Sequence, residues 1–258
     1  MIDHDALAAL LGEHLPRQRW FAPDGDAGAR VAATEVLAEP WPGLLHVSVE
    51  AAGGCWQVVL GLRPAGEHHV FLEGKPEAVV GELDTPAGPA LAYDALVDPE
   101  LALVLLRLAA PTVEAERARP ITGLEQSNSS VVFDEAVILK LYRRLLDGPN
   151  PDAEVTRALA GAGFDGVAEP CGRWREADQD RAVANRFLSN GTDGFSLALT
   201  SLRDLFGSGG EPGDAGGDFA PDARRLGGIT AAMHLALAKA FATKSGRPGR
   251  WADEAADS

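Results

Sequence analysis

Cysteine is nearly missing from this chain. Cys55 and Cys171 are the only two among 258 residues and lie far apart, which argues against a disulfide framework or a zinc ribbon. Positive charge is scarce as well: 23 Lys and Arg stand against 38 Asp and Glu, a formal net charge of −15. Nucleic acids and anionic membranes are polyanions, so neither is an expected partner. A nucleotide is not excluded, because a few fixed cations and backbone N–H groups hold phosphates locally. Long apolar runs are missing too; the longest, around Leu101–Leu106, is too short to cross a bilayer. Met1-Ile2-Asp3-His4-Asp5 shows no basic segment leading into an apolar one, so no secretory signal is expected and a cytoplasmic location is. No internal repeat is visible. No Ser/His/Asp, Cys/His or paired-carboxylate arrangement is defensible from spacing.

What is present is enough apolar residue, 46%, to bury a sizeable core. Leu7, Leu10 and Leu11 recur at helical spacing within residues 4–15, and Pro16 closes that helix. Arg17-Gln18-Arg19-Trp20-Phe21 follows. It suits stacking on a sugar or nucleotide, but an aromatic anchor pinning the helix to a sheet is the stronger expectation. The runs Leu44–Glu50, Trp56–Leu62, His68–Leu72 and Glu77–Leu83 are β-rich and separated by Gly and Pro, which predicts a small, mainly antiparallel sheet. His68–His69 lack an acidic or sulfur partner at ligand spacing, so exposed strand histidines are expected. Pro89–Ala110 is predicted helical, its leucines covering the sheet, and Pro111 to Pro120 is the predicted boundary.

The stretch Gln126-Ser127-Asn128-Ser129-Ser130 reads as a polar loop feeding two apolar runs, Val131–Phe133 and Val137–Tyr142. Asp134–Glu135 between them predicts a tight hairpin. In the second run Ile138, Lys140 and Tyr142 share one face, and Val137, Leu139 and Leu141 the other. A lysine placed so either reaches an anion or guards a sheet edge. Arg143 and Arg144 read as a solvated strand end. Asn150-Pro151-Asp152-Ala153-Glu154 then opens a helix with a cap, a proline at the first position and acids in the first turn. Val155, Ala158, Leu159 and Ala162 continue it, and Gly161 and Gly163 mark its exit.

A polar loop, a strand lysine and a following helix with an inward carboxylate are the working parts of a kinase N-lobe. On that reading Ser127, Asn128, Ser129 and Ser130 cover phosphates, Lys140 contacts them, and Glu154 holds Lys140 in place. Val183–Leu188 fits the last strand before a hinge, with Arg186, Phe187 and Leu188 as candidate adenine contacts through backbone groups. Beyond it, Asn190–Gly194 leads into a helix through Leu197, Leu199, Leu202 and Leu205. Gly207–Asp218 reads as a mobile loop. An amphipathic helix is predicted over Asp222–Phe241, and a fraying tail after Gly246.

The blocks Gln126–Asp134, Ile138–Lys140, Arg143–Arg144 and Gly148–Glu154 resemble the actinobacterial maltokinase family. The resemblance extends to Arg17–Phe21, Asn190–Gly194, Leu202–Leu205 and Gly216–Ala220. It implies a bilobed, protein-kinase-like fold that makes maltose 1-phosphate from maltose and ATP, feeding α-glucan or trehalose metabolism. Mg²⁺ is then implied as a cofactor and trehalose synthase as a candidate partner. The fold expected is α+β: a β-rich cap over residues 1–110, a kinase-like N-lobe over 111–188, and the first helices of a truncated C-lobe over 189–258.

The family's C-lobe carries a His-Gly-Asp catalytic loop and a metal-binding Asp-Phe-Glu. None of the six histidines here is followed by Gly-Asp, and Asp218–Phe219 is followed by Ala220. No catalytic residue or metal ligand is therefore assigned, and this chain alone is expected to be inactive. The rival expectation is a non-catalytic module that binds a nucleotide or a partner protein; a third is part of a related sugar or amino-sugar kinase.

Overall fold

The computed structural model describes residues 2–21, 28–51, 53–121, 127–214 and 218–246. Gln126 and the tail after Gly246 lie outside them. The chain divides into two compact units, residues 1–154 with 168–189, and residues 155–167 with 190–258.

In the first unit, Asp3 Oδ1 accepts the backbone N–H of Asp5 at 2.9 Å and starts α1 (His4–His14). A single 3₁₀ turn through Pro16 ends it. Strands β1 (Arg30–Ala38), β2 (Gly43–Ala51), β3 (Gly54–Pro64), β4 (Val79–Thr85) and β5 (Gly88–Asp94) follow. They pair antiparallel in the order β1-β2-β3-β5-β4.

Two sequence expectations are corrected here. His68–Leu72 is not a strand: Val70–Leu72 forms one 3₁₀ turn, and exposed His68 lies 3.1 Å from Glu73. Gly88–Asp94 is strand, not helix. Helix α2 (Pro99–Ala109) begins only where Asp98 accepts the N–H of Glu100, with Pro99 at its first position. A leucine-rich run does not separate a strand from a helix until caps and pairing partners do.

The central strands β2 and β3 are buried on both faces, which is why they read as nearly continuous apolar runs, whereas β1 and β4 are partly exposed. One face takes Leu7, Leu11 and Leu15 against Val47, Val58, Leu60 and Ala92. Trp20 and Phe21 complete that core beside Trp56, with Phe21 and Trp56 ring centres 4.8 Å apart. The aromatic pair Trp20 and Phe21 is thus the expected anchor, while Arg17 and Arg19 of the same block stay exposed. The other face packs Leu44, Val59 and Tyr93 against Leu101 and Leu105 of α2 and against a second sheet.

That second sheet consists of β6 (Ala118–Pro120), β7 (Asn128–Phe133), β8 (Val137–Tyr142) and two later strands. After β8 the chain crosses to the first sheet as β9 (Arg144–Leu145), which pairs with β3. It then enters α3 (Pro151–Gly161), whose first turn belongs to this unit, and returns as β10 (Pro170–Glu176) and β11 (Gln179–Arg186). The order is β10-β11-β8-β7-β6, antiparallel throughout. The α+β expectation holds.

In the second unit, Asp193 accepts the N–H of Ser196 at 2.7 Å and caps α4 (Gly194–Ser208). Helix α5 (Ala220–Ala240) carries the expected amphipathic segment. Both helices leave large apolar side chains exposed, including Phe195, Phe206, Leu226 and Leu235. No helix among the described residues is long and apolar enough to cross a membrane.

Candidate functional site

The β7–β8 hairpin forms as predicted. Asp134 and Glu135 hold φ of 48° and 53°, both positive as in a type I′ turn, and Ala136 N–H donates to Phe133 O at 2.9 Å. Asp134 also accepts the N–H of Glu116 at 2.9 Å and of Arg117 at 3.1 Å, and these bonds hold its carboxyl below the usual range.

Strand alternation then sorts the candidate residues. Ser130 sits opposite Lys140 and Ser129 opposite Leu141. Val131, Phe133, Leu139 and Leu141 face the core, so Ser130 and Lys140 share the opposite face, on which Ser130 is buried. There Lys140 Nζ donates to Asp152 Oδ2 at 2.8 Å, with one third of the lysine side chain exposed. Tyr142 on the same face donates its hydroxyl to Asp152 Oδ2 at 3.2 Å. Burial, with Asp152 beside it, raises the Tyr142 pKa, so the phenol stays a donor.

The start of α3 is fixed from below. Asp180 of β11, fully buried, accepts the N–H of Asn150 at 2.8 Å, and Asn150 Oδ1 accepts the N–H of Asp152 at 3.0 Å. Asp180, Asn150, Asp152 and Lys140 thus form a connected series. Tyr142, Ala153 and Val183 make a small apolar cluster beneath it.

Several site expectations change. The carboxylate at Lys140 belongs to Asp152, not Glu154. Glu154 is exposed and makes no ion pair among the described residues. Ser127 is an exposed bend, whereas Asn128, Ser129 and Ser130 are strand residues and not a loop. Ser129 faces away from Lys140 and accepts Arg143 Nε at 2.8 Å. Arg186 N–H donates to Glu169 O at 2.8 Å and Phe187 N–H to Ala136 O at 2.7 Å, so neither N–H is free to meet a purine. Leu188 is exposed.

Arg143, expected in solvent, is buried. It continues the Val137, Leu139, Leu141 alternation, and that parity was the signal for an arginine on the core face. With Ser129 it lines a cleft of about 500 Å³ that also includes Asn128, Ser130, Arg17 and Arg19. Among the described residues no group of three or more His, Cys, Asp or Glu could hold a metal ion.

Comparison with known proteins adds to this geometry. Residues 14–98 match the maltokinase N-terminal cap domain, so the resemblance read from the sequence is borne out over the cap. A glucosamine kinase of Mycolicibacterium smegmatis (strain ATCC 700084 / mc(2)155) is 33% identical over 105 residues, 39% of this chain and 26% of that protein. A solved glucosamine kinase, crystal form B, is 24% identical with a TM-score of 0.51, over 84% of this chain and 47% of that one. That likeness shows the fold. A structure of glucosamine kinase in complex with glucosamine, ADP and inorganic phosphate is similar at 22% identity and a TM-score of 0.49, over 90% of this chain and 52% of that one. The chain spans about half the length of these solved structures.

Proposed function

We propose that this chain is the cap and nucleotide-holding part of an ATP-dependent sugar kinase of the maltokinase type. One observation carries the reading: a part-exposed strand lysine of an antiparallel sheet lies 2.8 Å from a first-turn carboxylate of the following helix. In phosphoryl transfer a lysine so held contacts the α- and β-phosphates of the nucleotide, and a carboxylate keeps it in place. Lys140 takes the first role, Asp152 the second, and Ser130 lies beside them. The cap corresponds to residues 1–110, the N-lobe to 111–188 and the first C-lobe helices to 189–258.

The acceptor supported by the cap match is maltose, phosphorylated at its anomeric hydroxyl, with trehalose synthase as the candidate protein partner. The likeness to a glucosamine kinase favours an amino sugar as the second reading. Mg²⁺ accompanies ATP in either case, and none of the described residues is assigned to hold it. A site built from Lys140, Asp152 and Ser130 has the donors for a nucleotide's phosphates but no group to deprotonate a sugar hydroxyl. The 258-residue chain on its own is therefore a binding unit without turnover.

Calorimetric titration with Mg-ATP tests this. Saturable binding is expected, weakened at least tenfold in Lys140→Ala, with no phosphate transfer to maltose or glucosamine. Equal binding by the variant, or none by the wild type, refutes the nucleotide role. Turnover lost in the variant refutes the binding-only role.

A further inference from the structure

A cleft at the start of β7, lined by Asn128, Ser129 and Ser130, lies between the cap and the second sheet, and Lys140 does not line it. Its deepest group is Arg143, whose side chain is 1% exposed. Three interactions hold this guanidinium: Nη2 pairs with Asp94, Nε donates to Ser129 Oγ at 2.8 Å, and the group lies 4.6 Å from the ring centre of Trp20. Its Nη1 is buried without a hydrogen-bond partner among the described residues. Buried polar groups are almost always partnered, and a charged donor left alone is among the most costly exceptions.

Two more arginines line the cleft. Arg19 is exposed and makes no ion pair among the described residues, and the carboxylate nearest Arg17, on exposed Glu13, is 3.8 Å away. Three guanidinium groups therefore share one cleft in a chain of net charge −15. Opposed to them are Asp94, already engaged by Arg143, and Glu77. A volume of about 500 Å³ is in the range that accepts a small metabolite.

We propose that this cleft binds a small phosphorylated polyol, a phosphate monoester on a hydroxylated body. The three phosphate oxygens match three guanidinium donors, and planar guanidinium forks are the side chains best suited to them. The carboxylate of Glu77, with the amide of Asn128, serves the hydroxyl groups. Ser130 borders both places, but neither Lys140 nor Asp152 lines this cleft, so the site rests on its arginines whether or not the nucleotide reading stands.

Titration of the 258-residue chain with glucose 6-phosphate as probe tests it, alongside glucose and inorganic phosphate. Arg19 is exposed, so Arg19→Ala should keep the melting temperature while weakening the sugar phosphate at least tenfold. Lys140→Ala should leave that affinity within twofold, and glucose should give no measurable binding. Unchanged affinity in Arg19→Ala, or no binding by the wild type, overturns the site. Loss in Lys140→Ala places the binding at the nucleotide face and overturns it equally. Inorganic phosphate binding as tightly as the sugar phosphate removes the polyol from the proposal.

Discussion

Gln57 Nε2 on β3 donates to the main-chain oxygen of Arg181 on β11 at 2.7 Å, entirely within the core. The same nitrogen reaches Tyr142 O on β8, and Gln57 Oε1 faces His46 Nε2 at 3.1 Å. Its backbone N–H donates to Arg143 O at 2.8 Å. One cap residue thus holds the lysine's own strand, two residues from Lys140, and the neighbouring strand β11. Together with the β3–β9 pairing, this makes the cap a support for the lysine strand.

Gln57→Leu is therefore expected to be severely destabilising. It leaves two main-chain carbonyls and an imidazole nitrogen buried without partners, at roughly 1–3 kcal/mol for each group that stays dry. Urea unfolding should show a loss of about 2–4 kcal/mol at pH 7.5. A loss under 1 kcal/mol would mean that the cap and second sheet are not joined through this residue.

Acid should act through His46. Burial first, then the nearby Arg181 charge, lowers its pKa from 6.5 to about 4. Between those values the unfolded chain binds a proton that the folded chain refuses. The stabilisation is complete above pH 6.5 and is lost as pH falls from 6.5 toward 4, by about 3 kcal/mol at most. His14, also lowered by burial, acts in the same direction. The stability difference between pH 7.5 and pH 4.5 should shrink in His46→Gln by about 2 kcal/mol relative to the wild type. An unchanged difference would assign the acid sensitivity to other groups.

The Lys140–Asp152 contact makes a prediction that separates two acids of one helical turn. Asp152→Asn should weaken Mg-ATP binding several-fold, because the lysine loses the carboxylate that orients it. Glu154→Gln should change binding less than twofold, its side chain being exposed. The reverse order, read by the same titration, would restore Glu154 as the partner.

Gly172 on β10 reports how closely the second sheet meets α2. A Cβ there would lie 2.2 Å from Ala109 O and 3.0 Å from Ala110 Cα, both backbone atoms. Backbone cannot swing aside as a side chain does, so Gly172→Ala should cost about 2–3 kcal/mol. Thermal unfolding would show it as a drop of several degrees; an unchanged midpoint would mean that the strand and helix separate easily.

The elements legible in the sequence were those set by local physics. The β7–β8 hairpin follows from a period of two around Asp134–Glu135, and the start of α3 from Asn150, Pro151 and the acids behind them. The β5 strand was hidden because its leucine-rich surroundings fit a helix equally well, and only pairing with β3 and β4 decided between them.

At the site, the sequence by itself determined that a lysine stands on one strand face before a helix with an acidic first turn. Only the tertiary structure decided that Asp152 meets it, because that choice depends on how Asp180 and Asn150 seat the helix over the sheet. It alone decided that Ser129 and Arg143 belong to a different cleft from Lys140. Strand alternation sends neighbouring side chains to opposite faces, but what each face meets is brought there by chain as distant as Gln57, Asp94 and Trp20.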